Sequence, residues 1–111
     1  MGHPVVINKL LDAGANVNST SLGGYNCLHV AARKDRAELI KTLIELGAEV
    51  DRVTSDGYTA LHLACIAGHV KSIKELLHHR AESQLQTPEG WTALDLAARN
   101  GQVKSISTLL D

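Results

Sequence analysis

Three strings in this chain superpose on one another without a gap. They are Gly24-Tyr25-Asn26-Cys27-Leu28-His29-Val30-Ala31-Ala32, Gly57-Tyr58-Thr59-Ala60-Leu61-His62-Leu63-Ala64-Cys65 and Gly90-Trp91-Thr92-Ala93-Leu94-Asp95-Leu96-Ala97-Ala98. Their leading glycines are 33 residues apart at both steps. A unit of that length, copied along a chain, stacks into a solenoid rather than closing around one globular core. Such a stack offers a long continuous surface, and its default use is to hold another macromolecule.

Each unit reads as two helices. The first follows Asn26, Thr59 or Thr92, residue types that cap exposed amides at a helix start. Its apolar stripe is Leu28, Ala31, Ala32, then Leu61, Ala64, Cys65, then Leu94, Ala97, Ala98, at the i, i+3, i+4 spacing of one helical face. Asp35, Gly68 and Gly101 interrupt it. A second, bulkier stripe follows: Ile7, Leu10, Leu11; Ile40, Leu43, Ile44; Ile73, Leu76, Leu77; Ile106, Leu109, Leu110. That phase occurs four times, so a partial unit precedes Gly24. Gly14 and Gly47 end the second helix, where a left-handed backbone is wanted. The alternations Ala15-Asn16-Val17-Asn18 and Ala48-Glu49-Val50-Asp51 then lead into an extended, hairpin-like finger.

Composition agrees with closely packed helices. Hydrophobic content is 44%, but there is no Phe and aromatics are only 3%, so the interior must be Leu, Ile, Val and Ala. The formal charge of −1, from 11 basic and 12 acidic residues intermixed, lacks the footprint expected for nucleic acid or an anionic membrane. No apolar run approaches the roughly 20 residues needed to cross a bilayer. Cys27 and Cys65 fall at different phases and read as small core hydrophobes. Two reduced thiols fit a cytoplasmic or nuclear setting.

Together these motifs resemble the ankyrin repeat family across essentially the whole chain. The helix start Gly57-Tyr58-Thr59-Ala60-Leu61-His62-Leu63-Ala64, the break Gly68-His69 and the exit Leu10-Leu11-Asp12-Ala13-Gly14-Ala15-Asn16-Val17-Asn18 carry the resemblance. It implies an all-α solenoid of helix-turn-helix units with β-hairpin-like finger loops. The units run over 1–20 (partial), 21–53, 54–86 and 87–111, the last lacking its final finger. There are departures. Cys27, Ala60 and Ala93 stand where the family has proline, a minor loss. Arg80 stands in the place of Gly14 and Gly47, where a left-handed backbone costs a side chain on the order of 1 kcal/mol. Ala81-Glu82-Ser83-Gln84 also lacks the usual valine. This junction is expected to be the softest in the array. The second helix without its partner at residues 4–13 and the stop at Leu110-Asp111 lead us to expect a segment of a longer protein.

Every aromatic, Tyr25, Tyr58 and Trp91, sits at one phase, so the three form a ladder up one side of a stack. Tyr and Trp dominate interface energetics, although these could instead brace neighbouring fingers. The family resemblance places partner contacts at finger tips and the exposed side of the first helix. Here those positions are Leu22, Tyr25, Arg33 and Lys34 in one unit. In the next they are Val53, Ser55, Asp56, Tyr58 and Ile66. In the last they are Gln86, Glu89, Trp91, Arg99 and Asn100. Aromatic anchors among charges of both signs suit a protein or peptide partner.

The sequence offers little for chemistry. His29 and His62 belong to separate stacked units, and the resemblance gives them a loop-bracing role. Adjacent His78 and His79 point about 100 degrees apart on a helix and do not chelate together. No phosphate loop or His-Glu-x-x-His pattern is present. Asn18 resembles a site of asparaginyl hydroxylation in some ankyrin proteins, with a turn-stabilising role as the plainer reading. The chain is therefore expected to be a monomeric, non-enzymatic interaction module without cofactor or metal, an adaptor or scaffold. The alternative is a regulatory or targeting segment of a larger enzyme or channel.

Overall fold

The computed structural model describes residues 20, 21 and 23–111. Ile7, Leu10, Leu11, Gly14, Asn18 and Leu22, to which the sequence gives roles, lie outside the described residues. The described helices are α1 (Cys27–Arg33), α2 (Ala37–Glu45), α3 (Ala60–Ala67), α4 (Val70–His78), α5 (Ala93–Arg99) and α6 (Val103–Leu110).

Each first helix starts on a reciprocal cap. The side chains of Asn26, Thr59 and Thr92 accept from the amides of His29, His62 and Asp95 at 2.9, 3.1 and 3.2 Å. His29 Nδ1, His62 Nδ1 and Asp95 Oδ2 accept in return from the cap amides. Two orphan donors are thereby satisfied at each helix start, worth about 1 kcal/mol per cap. Each helix ends at a left-handed residue, Asp35, Gly68 or Gly101, with φ of 56°, 75° and 68°. The next amide, of Arg36, His69 or Gln102, reaches back to the carbonyl of Ala31, Ala64 or Ala97 at 2.9–3.0 Å. That six-to-one bond turns the chain into the second helix.

The hairpins stack in two layers, α1, α3, α5 in one and α2, α4, α6 in the other. Between them lies a single core of Leu28, Ala31, Ala32, Ile40, Leu43, Leu61, Ala64, Cys65, Ile73 and Leu76 with Ala93 and Ala97. Two details depart from the sequence expectation. Leu94 and Ala98 are exposed, and Ala93, Leu96 and Ala97 are the buried residues of α5. Leu110 is 70% exposed, whereas its described counterparts Ile44 and Leu77 are half-buried. In α1 and α3 the positions matching Leu94 and Ala98 are covered by the next hairpin, and the main contacts of α5 among the described residues are with α3 and α6. Burial at those phases is thus a property of the stack, not of the helix.

The fingers are tight turns, with no strand among the described residues. The Thr54 amide donates to Tyr58 O at 2.9 Å and Gly57 to Thr54 O at 2.9 Å, and Thr87 and Gly90 repeat the pattern with Trp91 and Thr87 at 2.8 Å. Successive fingers nest through backbone. The Ser55 amide donates to Gly23 O at 2.9 Å. A Cβ on Gly24 would lie 2.7 Å from Ser55 N, and one on Gly57 only 2.5 Å from Pro88 Cδ, so both positions demand glycine.

Side chains add ties between and within units. His69 Nε2 donates to Arg33 O at 2.9 Å, and at the same phase Gln102 Nε2 donates to Ile66 O at 3.0 Å. Ser72 Oγ donates to Asp35 Oδ1 at 2.8 Å, a charge-assisted bond that offsets the left-handed strain at Asp35. One repeat later Gly68 replaces the carboxylate, and the matching hydroxyl of Ser105 is buried with no partner among the described residues.

Candidate partner-binding face

His29 and His62 set the base of the face. Each accepts the cap amide on Nδ1, which leaves the proton on Nε2 to donate to Arg52 O at 2.7 Å or Leu85 O at 2.8 Å. Both rings are therefore neutral, single-tautomer braces between the first helix and the chain leaving the second. Burial is the main cause of a pKa below the ordinary imidazole value in both. Asp95, at the third matching position, keeps the cap but as a carboxylate has no proton to donate onward.

On these braces stand two of the aromatic rungs. The Tyr25 ring meets His29 edge-on at 5.9 Å, and Tyr58 meets His62 at 6.0 Å. Bracing and display are thus combined in one side chain. The Arg33 guanidinium lies over Tyr25 at 5.3 Å and Arg99 lies over Trp91 at 5.0 Å. Ile66 holds the same phase in the middle unit, eight residues beyond its aromatic.

A depression of about 400 Å³ opens between the first two rungs, lined by Tyr25, Asp56, Tyr58, Leu63, Ile66 and Glu89. Repeat phase points to the two tyrosines and the family resemblance to Asp56, Ile66 and Glu89, whereas neither points to Leu63. Tyr58 Oη donates to Glu89 Oε1 at 3.5 Å across two fingers. Partial burial and Glu89 raise the Tyr58 phenol above its ordinary pKa. The remaining candidates surround the depression or lie apart from it. Lys34 and Val53 are exposed, Val53 at 50%. The Ser55 amide is spent on the neighbouring finger. Gln86 Nε2 donates to Gly90 O at 3.3 Å, and Asn100 Nδ2 donates to Leu96 O at 2.8 Å, so part of each side chain serves its own turn. Val30, 43% exposed on the same side of α1, was also missed; it reads as filler between stripe positions.

The geometry offers no nucleophile in this depression. Cys65 is buried on α3, where loss of water pushes its thiol up to about 12. Cys27 is half-buried. No helix among the described residues is long and apolar enough to cross a membrane.

Stacked two-helix units joined by nested turns define a helical repeat solenoid. The ankyrin repeat model matches in three copies over residues 1–87 and 28–111, and the chain belongs to the ankyrin repeat family. Proteins of this family are in general non-catalytic protein–protein interaction modules. A search of curated proteins returns no significant match.

Proposed function

We propose that this chain is an adaptor or scaffold module that holds a protein or peptide partner against the ladder of Tyr25, Tyr58 and Trp91. The observation that carries this reading is the depression in which two rungs, two aliphatic side chains and two carboxylates converge. Mixed character of this kind, large aromatics beside charges, is what interface hot spots are made of. Tyr25 and Tyr58 stand on backbone-anchored histidines, so little side-chain entropy remains to be lost there on binding. A cytoplasmic or nuclear site of action goes with this reading, supported by the sequestered Cys65 thiol.

The test is a peptide display selection on the chain, followed by affinities of the recovered peptides. Tyr58→Ala and Trp91→Ala should each weaken binding by about 1 kcal/mol or more without unfolding the array. Recovered peptides indifferent to both substitutions would refute the ladder as the binding face.

A further inference from the structure

The three rungs are not equivalent. Tyr25 and Trp91 each carry a guanidinium of this chain over the ring, from Arg33 and Arg99. Tyr58 carries none among the described residues, because Ile66 holds the position that arginine holds in the other two units. Two carboxylates, Asp56 and Glu89, line the depression beside this bare ring. Neither makes an ion pair among the described residues, and Glu89 is met only by the Tyr58 hydroxyl at 3.5 Å. No cationic side chain among the described residues lines the depression. Arg99 acts on the Tyr58 phenol without lying over its ring, so a π face with two carboxylates outside any described ion pair and no guanidinium of its own has the electrostatics of an empty guanidinium slot. Leu63 and Ile66 supply an aliphatic floor next to it.

We propose that the middle rung takes an arginine from the partner: a segment bearing arginine beside a bulky aliphatic residue, its guanidinium over Tyr58 between Asp56 and Glu89 and its aliphatic neighbour on Leu63 and Ile66. Arg33 on Tyr25 and Arg99 on Trp91 are the intramolecular precedents for this contact. Arginine suits the slot better than lysine, because a planar fork stacks on the ring while its edge donates to a carboxylate. This inference rests on the ladder face being the binding face.

The probe is acetyl-Leu-Arg-amide, titrated to about 20 mM into the isotopically labelled chain, with acetyl-Leu-citrulline-amide as the uncharged isostere; a lone dipeptide is expected to bind in the millimolar range. Amide shifts should cluster at Tyr58, Leu63, Ile66 and Glu89. The arginine probe should bind at least about fivefold tighter than the citrulline probe. Asp56→Asn combined with Glu89→Gln should reduce it to the citrulline level. Ile66→Arg should abolish it by filling the slot from within, while circular dichroism stays unchanged. Equal affinities for the two probes, shifts elsewhere, no shifts at all, or unaltered binding in Ile66→Arg would each overturn the proposal. Display-selected peptides that depend on Tyr58 while the two dipeptides bind alike would sink this inference and leave the binding face intact. Peptides indifferent to Tyr58 and Trp91 would sink both.

Discussion

The segments 43–52 and 76–85 do the same job with different residues. Each ends a second helix at a left-handed position, and each closes with a six-to-one bond, Ala48 to Leu43 O and Ala81 to Leu76 O, both at 3.0 Å. At the turn stands Gly47 with φ 102° in one and Arg80 with φ 68° in the other. Three residues on, Val50 packs against the core, whereas Ser83 takes that place in the second. Hydrogen-bond topology is therefore conserved between repeats while torsional strain and apolar burial are not. A repeat protein can hold one architecture and still distribute its stability unevenly, because stability sums over units and their interfaces.

The sharpest test of this contrast removes the braces that secure each segment. His29→Ala and His62→Ala should each cost about 2 kcal/mol, since each strands a buried cap amide and releases a part-buried bond to a backbone carbonyl. His62→Ala should cost more, because the segment that its Leu85 contact holds has less else to hold it. Equal losses in chemical denaturation would break the comparison.

Acid acts on the same rings with a smaller effect. Both imidazoles lie below their ordinary value of 6.5 in the folded state, chiefly through burial. The unfolded chain takes up protons there that the folded chain refuses, so stability rises with pH. It should be complete above about pH 6.5 and decline as pH falls below that value. A denaturation midpoint that is flat between about pH 7 and pH 5 would contradict the neutral tautomers.

Exchanging the turn residues should move stability by about 1 kcal/mol in opposite directions, Arg80→Gly up and Gly47→Arg down. Nothing among the described residues lies within 4 Å of a Cβ at Gly47, so the loss expected there is torsional. The double exchange should nearly restore the starting value. At the smallest scale, hydrogen exchange at residues 78–87 should run about fivefold faster than at residues 43–52, the ratio that about 1 kcal/mol implies. Equal protection would remove the claim of a soft second junction.

Much of this was legible in the sequence because repetition converts phase into position. The caps at Asn26, Thr59 and Thr92, the breaks at Asp35, Gly68 and Gly101, and the left-handed strain at Arg80 follow from residue type at a fixed phase. Phase put Tyr25 and Tyr58 on one face, and the family resemblance added Asp56, Ile66 and Glu89. What it missed depends on neighbours. Leu63 reads as filler beside a stripe and becomes part of the floor only when the adjacent rung overhangs it. Leu94 and Ala98 match buried residues in type and phase, but their burial requires a hairpin on the far side. The Asp35–Ser72 bond, lost at Gly68–Ser105, spans 37 residues, and no single motif contains both ends.

The nesting of Gly24 beneath Ser55 and of Gly57 beneath Pro88 has a consequence for how such a face can change. Main chain meets main chain at the first and a rigid proline ring at the second, with no rung side chain in either contact, so the pitch from rung to rung is indifferent to which aromatic or aliphatic group occupies a rung. Substitutions can thus rewrite what each step of the ladder recognises, one step at a time, while the interval that a partner must match stays constant. Exchanging either glycine for alanine would alter that interval first and the chemistry of recognition only in its wake.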